Sequence, residues 1–249
     1  MGLHYGNRIP TQGLVFLIDP ANSQCWNGST LTDLAGGKVM TKGTNTVFST
    51  TYNSLGHFSS SAGEEGTGAL DTGYRYGSAY SGDYIVRGDL SFTAGLWIYK
   101  NGPEIPNNWW HVITDGESGD ILTLTDWDGS FQTSMNNGIG GSDANGTSFG
   151  FAYPGLTWET LETDQWNLLG VVFDKSNSRI KAFCNETIGD WVSQTVNDSY
   201  KLRNFAGWGS TQDSYHSDPS HSISFAYNTA LTDAQLMQIY NAQKTRFGR

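Results

Sequence analysis

A chain of 249 residues with 31 glycines, 13% aromatic and only 15% charged residues has the make-up of strands, turns and polar loops rather than of a helical protein, and its length suits one large all-β domain. The formal net charge of -10, from 24 acidic against 14 basic side chains, repels phosphate backbones and anionic headgroups and argues against nucleic acid as a partner. Cys25 and Cys184 form no Cys-x-x-Cys pair, which removes a zinc ribbon and a redox motif; free thiols are expected, with a disulfide between them left open.

Residues 1–12 read as a short arm and 13–249 as a single domain. Met1 to Thr11 holds no apolar run of signal-peptide length, and no segment approaches a transmembrane span, so neither membrane insertion nor export by the usual signal is expected. Leu14 to Ile18 is an unbroken apolar run between Gly13 and Asp19-Pro20 and predicts a short buried strand. Thr30 to Leu34 and Val47-Phe48 are weaker strand signals, and Ser54 to Gly82 has the Ser, Gly and Tyr content of loops and short edge strands. Within Ser91 to Tyr99, Phe92, Ala94, Leu96 and Ile98 alternate with Thr93, Gly95 and Trp97, the period of two of a central strand.

Trp109 to Thr114, Asp120 to Thr125 and Ser130 to Met135 continue as a meander, with Asp126-Trp127-Asp128-Gly129 as the turn of its last hairpin. Asn136 to Gly150 is too polar and glycine-rich to be more than an exposed loop, and it lacks the lysine and the helix of a phosphate-binding loop. Trp166 to Phe173 and Arg179 to Phe183 predict a second hairpin, and Ser222 to Tyr227 a last strand. Thr232 and Gln235 then form a capping box for a helix over about 232–244 whose apolar stripe is Leu236, Ile239 and Tyr240. Lys244, Arg246 and Arg249 follow it, placed to offset the negative end of the helix dipole. Many short strands, one helix and no strand–helix alternation predict an antiparallel two-sheet β-sandwich, or jelly roll, with its two ends paired in one sheet.

Three segments together resemble the concanavalin A-like, laminin-G-type domains of tailed-bacteriophage structural proteins. They are Gly13-Leu14-Val15-Phe16-Leu17-Ile18-Asp19-Pro20-Ala21-Asn22-Ser23, the pair Phe92 to Ile98 with Trp166 to Asp174, and Tyr227 to Thr232 running through Tyr240 to Gly248. The resemblance spans nearly the whole chain in order, though Leu34-Ala35-Gly36-Gly37 stands where the family continues Leu-Ser-Gly-x-Gly-Asn. It implies a non-enzymatic virion component, a capsid decoration or fibre protein, packed against other virion proteins as a homo-oligomer and released by lysis. A carbohydrate-binding adhesin at a tail fibre or tip is the alternative.

The chemistry of the loops fits these expectations. No Glu-x-Asp-x-x-Glu pattern supports a glycoside hydrolase; Asp126 with Asp128 and Glu162 with Asp164 sit in turns, where carboxylates bond to backbone. His4, His57, His111, His216 and His221 have no zinc-binding spacing. No cofactor is required, although the resemblance implies that calcium at the sandwich rim is possible through Asp126, Asp128 and Asp143. Tyr74, Tyr76, Tyr80 and Tyr84 lie within eleven residues, and with Trp127 they are the candidate contacts for a host polysaccharide or a neighbouring subunit; covering of a sheet edge is the alternative for the tyrosines.

Overall fold

The computed structural model describes residues 8–42, 46–52, 56–60, 74–75, 84–100, 110–114, 120–124, 131–132, 156, 160–194, 201–202, 204–205 and 220–249. The strands in chain order are β1 (Leu14–Ile18), β2 (Leu31–Thr32), β3 (Val39–Lys42), β4 (Thr46–Ser49), β5 (His57–Ser60), β6 (Tyr74–Arg75), β7 (Val86–Arg87), β8 (Phe92–Lys100) and β9 (Trp110–Thr114). They continue as β10 (Asp120–Leu124), β11 (Phe131–Gln132), β12 (Gln165–Asp174), β13 (Arg179–Cys184), β14 (Thr187–Ile188), β15 (Val192–Ser193), β16 (Lys201–Leu202), β17 (Asn204–Phe205) and β18 (Ser220–Tyr227). Helix α1 (Asp233–Gln243) and a 3-10 turn at Lys244–Phe247 close the fold.

Among the described residues, nine strands form one antiparallel sheet in the order β14-β13-β12-β8-β18-β5-β4, with β1 beside β18 and β15 beside β13. Seven form a second sheet, β11-β10-β9-β17-β6-β3-β2, and β7 pairs with β16. The two larger sheets share one core: Phe16 of β1 stacks on Phe205 of β17 at 5.2 Å with the rings 1° from parallel. Ile18, Phe58, Phe92, Leu96, Leu169 and Phe173 from the first sheet are buried with Ile113 from the second. The protein is therefore a β-sandwich with one short closing helix, as the composition and periodicity predict.

The expected meeting of the ends is present, with Leu14 opposite Tyr227, Leu17 opposite Phe225 and Ile18 opposite Ser224. Both predicted hairpins form, β12 pairing β13 and β10 pairing β11. The alternation in β8 resolves into two apolar faces. Phe92, Ala94, Leu96 and Ile98 enter the core between the sheets, while Trp97 enters a second core beneath α1 with Leu168, Phe225, Tyr227, Leu236, Ile239, Tyr240 and Phe247. The helix is thus a lid over the outer face of the sheet. Thr232 accepts from the Gln235 backbone N–H and Gln235 returns the bond, so the capping box is made.

Thr30 to Leu34 is shorter than the sequence suggests, with strand only at Leu31–Thr32. Asp33 ends it: its buried carboxylate accepts the backbone N–H of Leu17, Ala35 and Gly36 at 2.8, 2.9 and 2.8 Å. Lys244, Arg246 and Arg249 do more than face a dipole. Arg246 grips Asp19 with two hydrogen bonds of 2.7 and 2.6 Å, Lys244 lies 3.6 Å from Glu186, and Arg249 pairs with Glu162. The region after the helix is pinned to three separate loops. Cys25 and Cys184 are free and buried. Among the described residues no helix is long and apolar enough to cross a membrane.

Candidate functional site

Two features meet at the turn that leads into β12. Its backbone is fixed from below: the Asn167 amide donates to the carbonyls of Glu162 and Gln165 at 2.9 and 3.0 Å and accepts from the Glu162 N–H at 2.9 Å. Asn185 donates to Asn167 at 2.9 Å and accepts from the Leu168 N–H. Buried Lys100 donates to the Leu161 carbonyl at 3.0 Å, and Asp164 takes a left-handed φ of 56° that turns the chain into the strand. Because buried amides satisfy the backbone, the Glu162, Asp164 and Gln165 side chains remain at the surface.

On one side of this turn lies an open cleft of about 470 Å³, lined mainly by polar groups from Thr160, Glu162, Gln165, Asn185, Glu186, Thr187, Tyr240 and Arg249. Arg249 spans it, donating to Gln165 Oε1 at 2.6 Å and to Glu162 Oε1. The Arg249 hydrogen bond holds the Glu162 carboxyl below the usual carboxylate range. At the floor, burial pushes the Cys184 thiol up to about 12, so it stays protonated and unreactive.

On the other side is an aromatic stack. Tyr99, whose hydroxyl donates to the Asp164 carbonyl at 2.9 Å, lies 4.1 Å from Tyr52 with the rings 10° from parallel. Tyr52 is 40% exposed. Trp166 stands edge-on behind Tyr99 at 5.7 Å and donates its indole N–H to the Tyr52 carbonyl at 3.0 Å. His57 is fully buried under Tyr52, with no hydrogen-bond partner among the described residues on either ring nitrogen, and burial lowers its pKa to about 4. It is a neutral packing group at physiological pH. Trp166 reaches Phe247, and Phe247 reaches Trp97, so the exposed tyrosine rests on an aromatic column extending beneath the helix.

Of the residues expected from sequence, Tyr76, Tyr80, Trp127, Asp126, Asp128 and Asp143 lie outside the described residues. Tyr74 opens β6, opposite Phe205 and Lys42. Tyr84 is 38% exposed, with the Arg87 guanidinium 5.7 Å from its ring centre, and does not line the cleft. Among the described residues no group of three or more His, Cys, Asp or Glu is placed to hold a metal ion. Glu162 and Asp164 are turn residues, as read from sequence. Tyr52, Tyr99, Gln165 and Thr187 are new, and Arg249 acquires a place in the cleft wall. Tyr99 and Trp166 each carried a strand signal, but their meeting with Tyr52 has no local signature.

No family model and no curated protein matches the chain. Solved structures match its shape. A Trypanosoma rangeli sialidase is similar over 97% of this chain and 34% of its own length, at 12% identity and TM-score 0.60. Domain 4 of AbnA, a GH43 extracellular arabinanase from Geobacillus stearothermophilus, determined in complex with arabinotriose, is similar over 91% of this chain and 98% of that domain, at 12% identity and TM-score 0.56. The botulinum neurotoxin type G receptor binding domain is similar over 93% of this chain and 52% of its own, at 12% identity and TM-score 0.57. The chain spans about a third of the length of the sialidase it matches. These likenesses define a fold, the antiparallel β-sandwich.

Proposed function

We propose that this chain is a non-enzymatic, glycan-contacting sandwich module carried on a tailed-bacteriophage particle. The juxtaposition of a polar cleft and the exposed Tyr52 on one buttressed turn carries the binding reading. Saccharides present hydroxyls to polar side chains and C–H faces to aromatic rings, and the two flanks of this turn offer one kind of group each. That an arabinanase domain solved with arabinotriose shares the fold supports the same reading. The non-enzymatic part is supported by the sequence, which carries no Glu-x-Asp-x-x-Glu pattern of paired carboxylates. Placement on a virion, with other virion proteins as partners, is supported by the two end segments whose sequence resembles that family.

A glycan array probed with the purified chain tests the binding reading. Binding by the parent, reduced about tenfold or more in Tyr52→Ala, is the expected result for loss of one stacking ring; absence of any bound glycan overturns it. A reducing-end assay on bound polysaccharide is expected to stay flat, and sugar release overturns the non-enzymatic assignment. Cryo-EM of the assembled particle locates the chain on shell, fibre or tip; absence from the particle overturns the placement.

One observation favours a structural role as a second reading. Among the described residues strand β4 is an edge of the nine-stranded sheet, and it exposes Val47 and Phe48 at 39% and 40%. An apolar edge invites pairing with another copy of this chain in a homo-oligomer. Light scattering is expected to give an oligomer that Phe48→Ser weakens; a monomer at all concentrations overturns it.

A further inference from the structure

Resting on the glycan-binding reading above, we infer that the cleft takes uncharged saccharides and rejects anionic ones such as uronic or sialic acids. A sugar carboxylate is best held by a guanidinium whose fork is open, since two parallel N–H donors match two carboxylate oxygens. The guanidinium lining this cleft is that of Arg249, and both of its terminal nitrogens already donate, one to Gln165 Oε1 and the other to Glu162 Oε1. Exposure reinforces the point: the Arg249 side chain is 7% exposed and that of Glu162 54%. An entering ligand meets the carboxylate before it meets the cation.

A second exposed carboxylate lines the cleft. Glu186 is 64% exposed, and Lys244, 3.6 Å away, is its paired cation. The Cys184 thiol contributes no charge or nucleophile, being protonated with a pKa of about 12. Among the described lining residues the charges are Glu162, Glu186 and Arg249, an acidic balance within a chain of net charge -10. The Gln165 amide and Thr187 hydroxyl supply neutral groups beside the two carboxylates. Carboxylates accept from, and amides accept from and donate to, the paired hydroxyls of a neutral sugar, whereas an added anion meets repulsion with no open cation among the described lining residues to offset it.

Calorimetric titration of the full chain with matched oligosaccharides tests this: lactose against sialyllactose, and galactan against galacturonan fragments of equal length. The neutral member is expected to bind about tenfold tighter, the factor of one unfavourable charge contact near a surface, with the ratio shrinking as salt rises. Glu162→Gln, which frees the Arg249 fork, and Glu186→Gln, on an exposed turn, are each expected to narrow the ratio. Equal or tighter binding of the carboxylated member by the parent overturns the inference while leaving the glycan reading intact, and so does a ratio that neither variant changes. Binding of neither member of either pair overturns both.

Discussion

Asp33 shows how much a single side chain can organise. It is 1% exposed and accepts three backbone N–H groups, one of them from β1 sixteen residues away. Asp33→Ala leaves those donors buried without partners and is expected to destabilise the fold by about 3 kcal/mol, read from the urea midpoint. Bonds to charged groups exceed neutral ones, so Asp33→Asn is expected to recover part of that loss. His57 gives a pH dependence. Its folded pKa of about 4 lies below its ordinary 6.5, so between these values the unfolded chain binds a proton that the folded chain does not. Stability from this group therefore falls as pH drops from about 6.5 to about 4, and His57→Phe is expected to flatten that part of the urea-midpoint profile. Glu162 acts at the acid end: its lowered pKa adds stability above the ordinary carboxylate value that is lost as pH falls through its folded one.

Strands β8 and β12 are where sequence and structure agree best, because long alternating or continuous apolar runs have one stable reading. Their contact also rests on two glycines that no period reveals. Gly95 and Gly170 face each other across the pair, and a Cβ at Gly170 would stand 2.2 Å from the Ala94 carbonyl and 2.5 Å from the Phe183 ring. Gly170→Ala is therefore expected to force strand and ring apart and cost about 2 kcal/mol, visible as a lowered Tm. At the helix, Thr232→Ala removes the cap and is expected to cost about 1 kcal/mol. The two-residue strands β2, β7 and β14 to β17 were not legible with their true bounds, since two residues carry no period. β7, β16 and β17 exist through pairing with distant partners, as Leu202 does opposite Val86, whereas β2 and β14 pair with strands close by in the chain.

At the scale of the whole molecule, the fold class, both hairpins, the capped helix and the pairing of the ends were readable from the sequence. The candidate site was not. Its parts come from residues 52, 99, 160–166, 185–187, 240 and 249, and only the finished sandwich assembles them. Expectation followed dense local signals such as the tyrosines of residues 74–84, whereas the cleft is built from sparse residues joined by topology. The Asp19–Arg246 pair is one such long-range bond, with side chains 20% and 8% exposed. Asp19→Ala leaves the guanidinium nearly buried without its partner and is expected to cost about 3 kcal/mol, whereas Asp19→Ala combined with Arg246→Met recovers much of it.

The position of β18 bears on how the chain acquires its shape during synthesis. This strand follows every other strand in the chain, yet it lies inside the nine-stranded sheet, contacting β8 on one side and β1 and β5 on the other, with all eight of its residues buried. Until residues 220–227 have left the ribosome, β8, β1 and β5 present unpaired edges with nothing between them. The large sheet therefore closes only once β18 is available, with slow kinetics set by long loop closures, and nascent chains stalled before residue 220 are the species most exposed to edge-to-edge aggregation and chaperone capture.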